Sequence, residues 1–179
     1  LVRCSEGKAA ALATLVREKG GDDAAVDRAQ SAFEACERKL QLDPFIIFNA
    51  VLRKSLHAGL EAAGLPITAS DEETIIKAVK LSEPFPDTGP ALADLKRDFR
   101  LAILSNSEPE IIRHNIASIG IEFDAVVLAA EAKCYKPDPG MFRELLDRID
   151  ETPKNVTHIA QSFYHDMRTS KDLGFGRRL

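Results

Sequence analysis

Three short stretches carry side chains that could do chemistry. The first is Ser105-Asn106, directly after the apolar run Leu101-Ala102-Ile103-Leu104. A hydroxyl and an amide there can donate to an anionic oxygen, and a helix opening at Ser107 would favour the same anion through its free N–H groups. Ser-Asn-Ser could equally serve only to cap that helix. The second is Tyr135-Lys136-Pro137-Asp138-Pro139. A residue before proline is kept out of helical geometry, so Lys136 presents its ammonium from a loop, as a site group or as an ordinary surface charge. The third is Gln161-Ser162-Phe163-Tyr164-His165-Asp166, which puts an amide, a hydroxyl, an imidazole and a carboxylate into one loop. His165 could titrate near neutrality or be a partly exposed loop residue, and Asp166 could cap the last helix.

These stretches need elements that aim them. From residue 86 onward, short apolar runs alternate with amphipathic helices, which is the pattern of an α/β fold. Strands are expected at 101–104, 125–128 and 156–160. Helices are expected around Leu92, Leu95 and Phe99, over 107–119 with a capping box of Ser107 and Glu110, from Asp138-Pro139 to Ile149, and through Met167 to a stop at Gly174. In a parallel sheet the chemistry gathers beyond the carboxyl ends of the strands, where all three stretches fall. Residues 5–83 read differently, as successive helices with apolar residues at helical spacing (Leu12 and Val16; Val26, Ala29 and Phe33; Val51, Leu56 and Leu60). Turn signals at Gly20-Gly21, Asp43-Pro44 and Gly64-Leu65-Pro66 separate them, and Ser70 with Glu73 reads as a capping box for the fourth.

Taken in order, strand-Ser-Asn, Tyr-Lys-Pro-Asp-Pro, and strand-Gln-Ser with Asp166 four residues after Ser162 resemble the second, third and fourth motifs of the haloacid dehalogenase superfamily. Leu-Ala-Ile-Leu-Ser-Asn-Ser and His-Ile-Ala-Gln-Ser-Phe-Tyr-His-Asp resemble the type II 2-haloacid dehalogenase branch most. The resemblance implies a Rossmann-like three-layer α/β/α core over 86–179 and an inserted helical cap over 1–85. It also implies that the chain is truncated at both ends. The superfamily's nucleophile is an Asp on a strand ahead of the cap, in the middle of the sheet between the strands ending at Ser105 and near Gln161; its loss would leave two strand edges unpaired. The fragment alone is therefore expected to be inactive.

For the intact enzyme the resemblance implies hydrolysis of a small organic acid, a 2-halo acid in that branch, through a covalent Asp ester. It implies catalytic roles for Lys136, Asp166, Ser105 and Asn106, and substrate binding by Ser105, Asn106, Gln161 and Ser162. No metal or cofactor is expected. Phosphatases of the superfamily carry Gly-Asp-Ser where Ala160-Gln161-Ser162 stands, and that Asp binds Mg²⁺, a hard cation that wants carboxylate oxygens. Departures from the dehalogenase pattern are Glu34 in the cap region where an Arg lies near the halide, Phe163 in place of Asn, and Phe142 in place of Tyr. A Mg²⁺-dependent phosphatase or phosphomutase, and a catalytically silent binding protein of the same fold, are the alternatives.

Composition bounds all three readings. The 179 residues are 45% hydrophobic and 29% charged with a net charge of -4, ordinary globular material. The longest apolar run, 125–130, is far short of a membrane span, and the acidic balance argues against a nucleic-acid footprint. No secretory signal is visible, and the first residue is Leu, as in a processed chain or a piece of a longer one. Cys4, Cys36 and Cys134 are odd in number and lack metal-ligand spacing, which reads as reduced thiols in a cytoplasmic protein. The expected partner is a small-molecule substrate, without nucleic acid or membrane, and a homodimer is left open.

Overall fold

The computed structural model describes residues 1–179, and contacts divide them into two compact units, Leu1–Asp94 with Glu108–Ile121, and Leu95–Ser107 with Glu122–Leu179. The first unit is helical, with α1 (Cys4–Glu18), α2 (Asp23–Leu40), α3 (Phe48–Ala62) and α4 (Ala69–Lys80). The helical spacing of apolar residues is satisfied here as amphipathic packing requires. Phe33 of α2 and Val51, Leu52, Leu56 and Leu60 of α3 are buried, as are Leu12, Leu15 and Val16 of α1. The α2–α3 contact is close enough to need a glycine, since a Cβ on Gly59 would lie 2.9 Å from the Ala29 carbonyl oxygen.

Two caps differ from expectation. Helix α4 opens at Thr68, not Ser70: the Thr68 hydroxyl accepts from Asp71 N–H, and the Asp71 carboxylate accepts from Thr68 N–H at 2.7 Å. Asp71 also meets Lys19, the residue that ends α1, at 2.9 Å, a long-range bond that favours this register. Helix α6 (Pro109–Ile119) is not capped by Ser107 and Glu110. Its N-cap is Glu108, held extended (φ -88°, ψ 152°) as a residue before proline must be, and the Ser107 hydroxyl is buried without a partner. Gly120, at φ 76°, ends the helix. The helix before the first strand, α5 (Thr88–Leu95), is shorter than expected, leaving Phe99 outside it and exposed.

The second unit supplies the strands. Parallel β1 (Ala102–Ser105) and β2 (Ala125–Leu128) pair with Ser105 opposite Leu128. Helix α7 (Ala129–Ala132) follows β2, and α8 (Pro139–Ile149) packs on both strands through a buried face that includes Met141, Phe142 and Leu145. The third strand is shorter than expected, with β3 confined to Thr157–His158 and paired in parallel with β4 (Arg177–Arg178). Gly176 is required at that junction, because a Cβ there would fall 2.1 Å from the Lys154 carbonyl oxygen. β1 has β2 as its only ladder partner and β3 has β4 as its only one, so each keeps an edge without a strand. The segment expected as one last helix is a wide π-type turn, Phe163–Met167, leading into α9 (Arg168–Asp172). No helix is long and apolar enough to cross a membrane.

Candidate active site

Asn106 follows β1, Lys136 stands in the loop between α7 and α8, and Asp166 lies in the π-type turn. Hydrogen bonds within the second unit bring the three together. The Asn106 side chain clasps the main chain of Lys136: Nδ2 donates to the Lys136 carbonyl at 3.1 Å, and Oδ1 accepts from the Lys136 N–H at 2.7 Å. One of the two Nδ2 hydrogens of the amide is thus used to hold the lysine loop. The peptide bond between Lys136 and Pro137 is cis.

From that clasp the Lys136 ammonium reaches Asp166 Oδ1 at 2.8 Å, with the lysine side chain 13% and the aspartate 3% exposed. Asp166 does not cap the last helix. It points inward, and its turn is fixed from both sides: the Ser162 hydroxyl accepts from the His165 N–H at 3.0 Å, and the buried Ser170 hydroxyl donates to the Asp166 carbonyl at 2.7 Å. Thr169 adds a hydrogen bond to the Pro137 carbonyl at 2.8 Å, tying the turn to the lysine loop.

A fourth residue belongs to this cluster. His158 of β3 is buried, and its Nε2 lies 2.9 Å from Asp166 Oδ1, the oxygen that Lys136 also uses. A carboxylate only accepts, so Nε2 carries the hydrogen. Along this segment His158 turns in and Ile159 turns out, 60% exposed. The signal available in the sequence was an imidazole in the expected strand 156–160, eight residues before Asp166. Burial alone would push the Asp166 carboxyl up; the hydrogen bond from His158 and the charge and hydrogen bond of Lys136 outweigh it and hold the carboxyl below the usual carboxylate range.

The remaining expected residues make no side-chain bond to Lys136 or Asp166. Ser105 ends β1 half-buried. Ser162 bonds within its own turn, its Oγ 2.9 Å from His165 Nδ1, and Gln161 is exposed. No group of three or more His, Cys, Asp or Glu side chains that could hold a metal ion occurs among these residues. With a neutral amide at Gln161, the donor set does not fit a hard divalent cation. All three cysteines are free thiols.

A family model for haloacid dehalogenase-like hydrolases matches residues 8–174. An (S)-2-haloacid dehalogenase from Xanthobacter autotrophicus is 28% identical over 130 residues, 72% of this chain and 51% of the relative. A phosphoserine phosphatase from Thermus thermophilus is 27% identical over 128 residues, 69% of this chain and 50% of the relative. The chain therefore spans about half the length of these curated relatives. Among solved structures, the L-2-haloacid dehalogenase from Xanthobacter autotrophicus shares the fold, with a TM-score of 0.81 at 24% identity over 98% of this chain and 71% of that one. With the family model spanning nearly its whole length, the chain belongs to the haloacid dehalogenase-like hydrolase family.

Proposed function

We propose that these residues serve a hydrolase working through a covalent Asp ester on a small organic acid, a 2-halo acid in the first instance, with residues 1–85 as the cap and 86–179 as the core. The observation that carries the reading is the aimed, charge-paired ammonium of Lys136. An ammonium has three donors, and one of them goes to Asp166. The other two serve the incoming carboxylates of nucleophile and substrate, lowering the cost of bringing like charges together. Asp166 is already bonded twice through Oδ1, so it orients Lys136 and the attacking water and is not itself the nucleophile. The ester-forming Asp is the one that the resemblance implies on a strand ahead of the cap.

In the reaction that carboxylate forms a C–O bond as the carbon–halogen bond breaks and halide leaves. Water then adds to the ester carbonyl, releasing the hydroxy acid and regenerating the Asp. Ser105 holds the anionic group or the leaving group, Gln161 and Ser162 line the pocket, and Asn106 acts through the lysine loop. Halide release from 2-chloropropionate by the full-length protein tests the reading: no release, with or without Mg²⁺, refutes the dehalogenase assignment. The 179-residue chain alone is expected to show no turnover, and measurable turnover by material of verified mass would overturn that.

A further inference from the structure

His158 has no part in the reaction just described, yet its place in the structure is specific. Its ring lies edge-on to Phe142 (centroids 5.4 Å apart) and to Phe175 (5.9 Å), both of them buried. Phe142 and Phe175 also meet edge to face at 5.9 Å, so two fixed aromatic walls restrict the imidazole and point Nε2 at Asp166 Oδ1. That oxygen is the one on which Lys136 depends. A polar group this deeply buried is costly unless it is bonded, and filling the position with an apolar side chain would avoid that cost, as would be ordinary for a strand packed on α8.

We propose that His158 is a positioning residue for the site: through its Nε2–H it keeps Asp166 ionised and turned so that Oδ1 faces the Lys136 ammonium. The charged groups that face it are Asp166 directly and Lys136 through Asp166; α8 and the segment before β4 present Phe142 and Phe175. Two donors on one carboxylate oxygen fix its rotation more firmly than one, and the ammonium that this oxygen aims is then presented at a single place. The role rests on the Lys136-centred hydrolase reading only for its effect on turnover. Its effect on Asp166 is a property of the folded protein and is measured separately.

The test compares His158→Leu, which keeps the volume without the donor, with His158→Gln, whose side-chain amide can place N–H near the position of Nε2. The titration of Asp166 is followed by carboxyl ¹³C NMR in the full-length protein, and halide release from 2-chloropropionate is followed across pH. His158→Leu is expected to raise the pH at which Asp166 titrates, to move the acid limb of turnover upward with it, and to lower kcat about tenfold, the scale of one hydrogen bond to a charged group. His158→Gln is expected to restore both the Asp166 titration and the acid limb toward those of the parent. A merely structural His158 would lower the melting temperature in both variants and leave the Asp166 titration unmoved, and that result overturns the proposal, as does a shift in His158→Leu that His158→Gln fails to reverse. If no protein releases halide, the hydrolase reading fails, and the NMR titration still decides the role of His158.

Discussion

Replacing Asp166 with Asn tests how much stability rests on one carboxylate oxygen. Asp166 Oδ1 accepts from Lys136 Nζ at 2.8 Å and from His158 Nε2 at 2.9 Å, with 3% of the side chain exposed. A hydrogen bond to a charged group contributes roughly 1.5–3 kcal/mol net, so the two together contribute about 3–6 kcal/mol. An Asn oxygen in the same place still accepts one bond of ordinary strength, about 1 kcal/mol. It leaves the Lys136 ammonium without a counter-charge, the situation in which breaking a buried pair is most costly. The expected net loss is about 3 kcal/mol at pH 7.

The pH dependence supplies the sign. The folded-state carboxyl of Asp166 titrates below its usual range, so its contribution is complete above the unfolded Asp value of about 3.9 and is lost as pH falls through the lower folded value. The Asn variant has no such group to protonate. The gap between the two proteins is therefore widest near neutrality and narrows in acid. Urea unfolding followed by far-UV circular dichroism measures it, since the chain has no Trp. A loss under about 1 kcal/mol at pH 7, or a gap that stays constant from pH 7 to pH 3, would refute the reasoning.

Three further outcomes follow from local geometry. Asn106→Ala removes both bonds that clasp the Lys136 main chain, and in steady-state assays of the full-length protein it should lower kcat about tenfold while KM moves less. Asp71→Ala removes the reciprocal cap at Thr68 and the Lys19 ion pair; a loss of about 2 kcal/mol is expected, read as a lower melting temperature in calorimetry. Gly59→Leu drives a side chain against the Ala29 carbonyl, which an ideal Cβ already approaches at 2.9 Å. A drop in the urea midpoint equivalent to about 1–3 kcal/mol is expected, and an unchanged midpoint would mean that α2 and α3 move apart freely.

Helices and strands were legible in the sequence where a single period decides them. The apolar faces of α1 to α4 need only 3.6-residue spacing, and β2 needs only four apolar residues between turns. Caps were less legible because several residues can bid for one helix end. Thr68 and Ser70 each stand three residues before an acidic side chain, and the contact that favours Thr68 is Asp71 with Lys19, a residue far away in sequence. Pro109 settles the start of α6 by local sterics, since it makes Glu108 extended and leaves Ser107 outside. The order Asn106, Lys136, Asp166 was legible as a motif sequence, but the partner of each side chain was not. His158 escaped because strand alternation does not say which face of 156–160 is buried, and its reason for facing inward lies eight residues ahead at Asp166.

The use of Asn106 as a clasp has a physical logic that bears on its neighbour. Lys136 precedes a proline, which has no N–H, and lies outside any helix or strand. Its own N–H and carbonyl sit half-buried without a regular ladder to take them. One carboxamide offers a donor and an acceptor on separate atoms and satisfies both, which an ionised aspartate, an acceptor only, cannot do. With Asn106 holding the loop in this way, the hydroxyls of Ser105 and Ser107 flank it at the carboxyl end of β1, and Ser105 is the one at the end of the strand itself. Under the proposed function the pair Ser-Asn would divide its labour between substrate and scaffold: losing the Ser105 hydroxyl should weaken substrate binding, whereas losing the Asn106 amide should leave binding largely intact and misplace the ammonium.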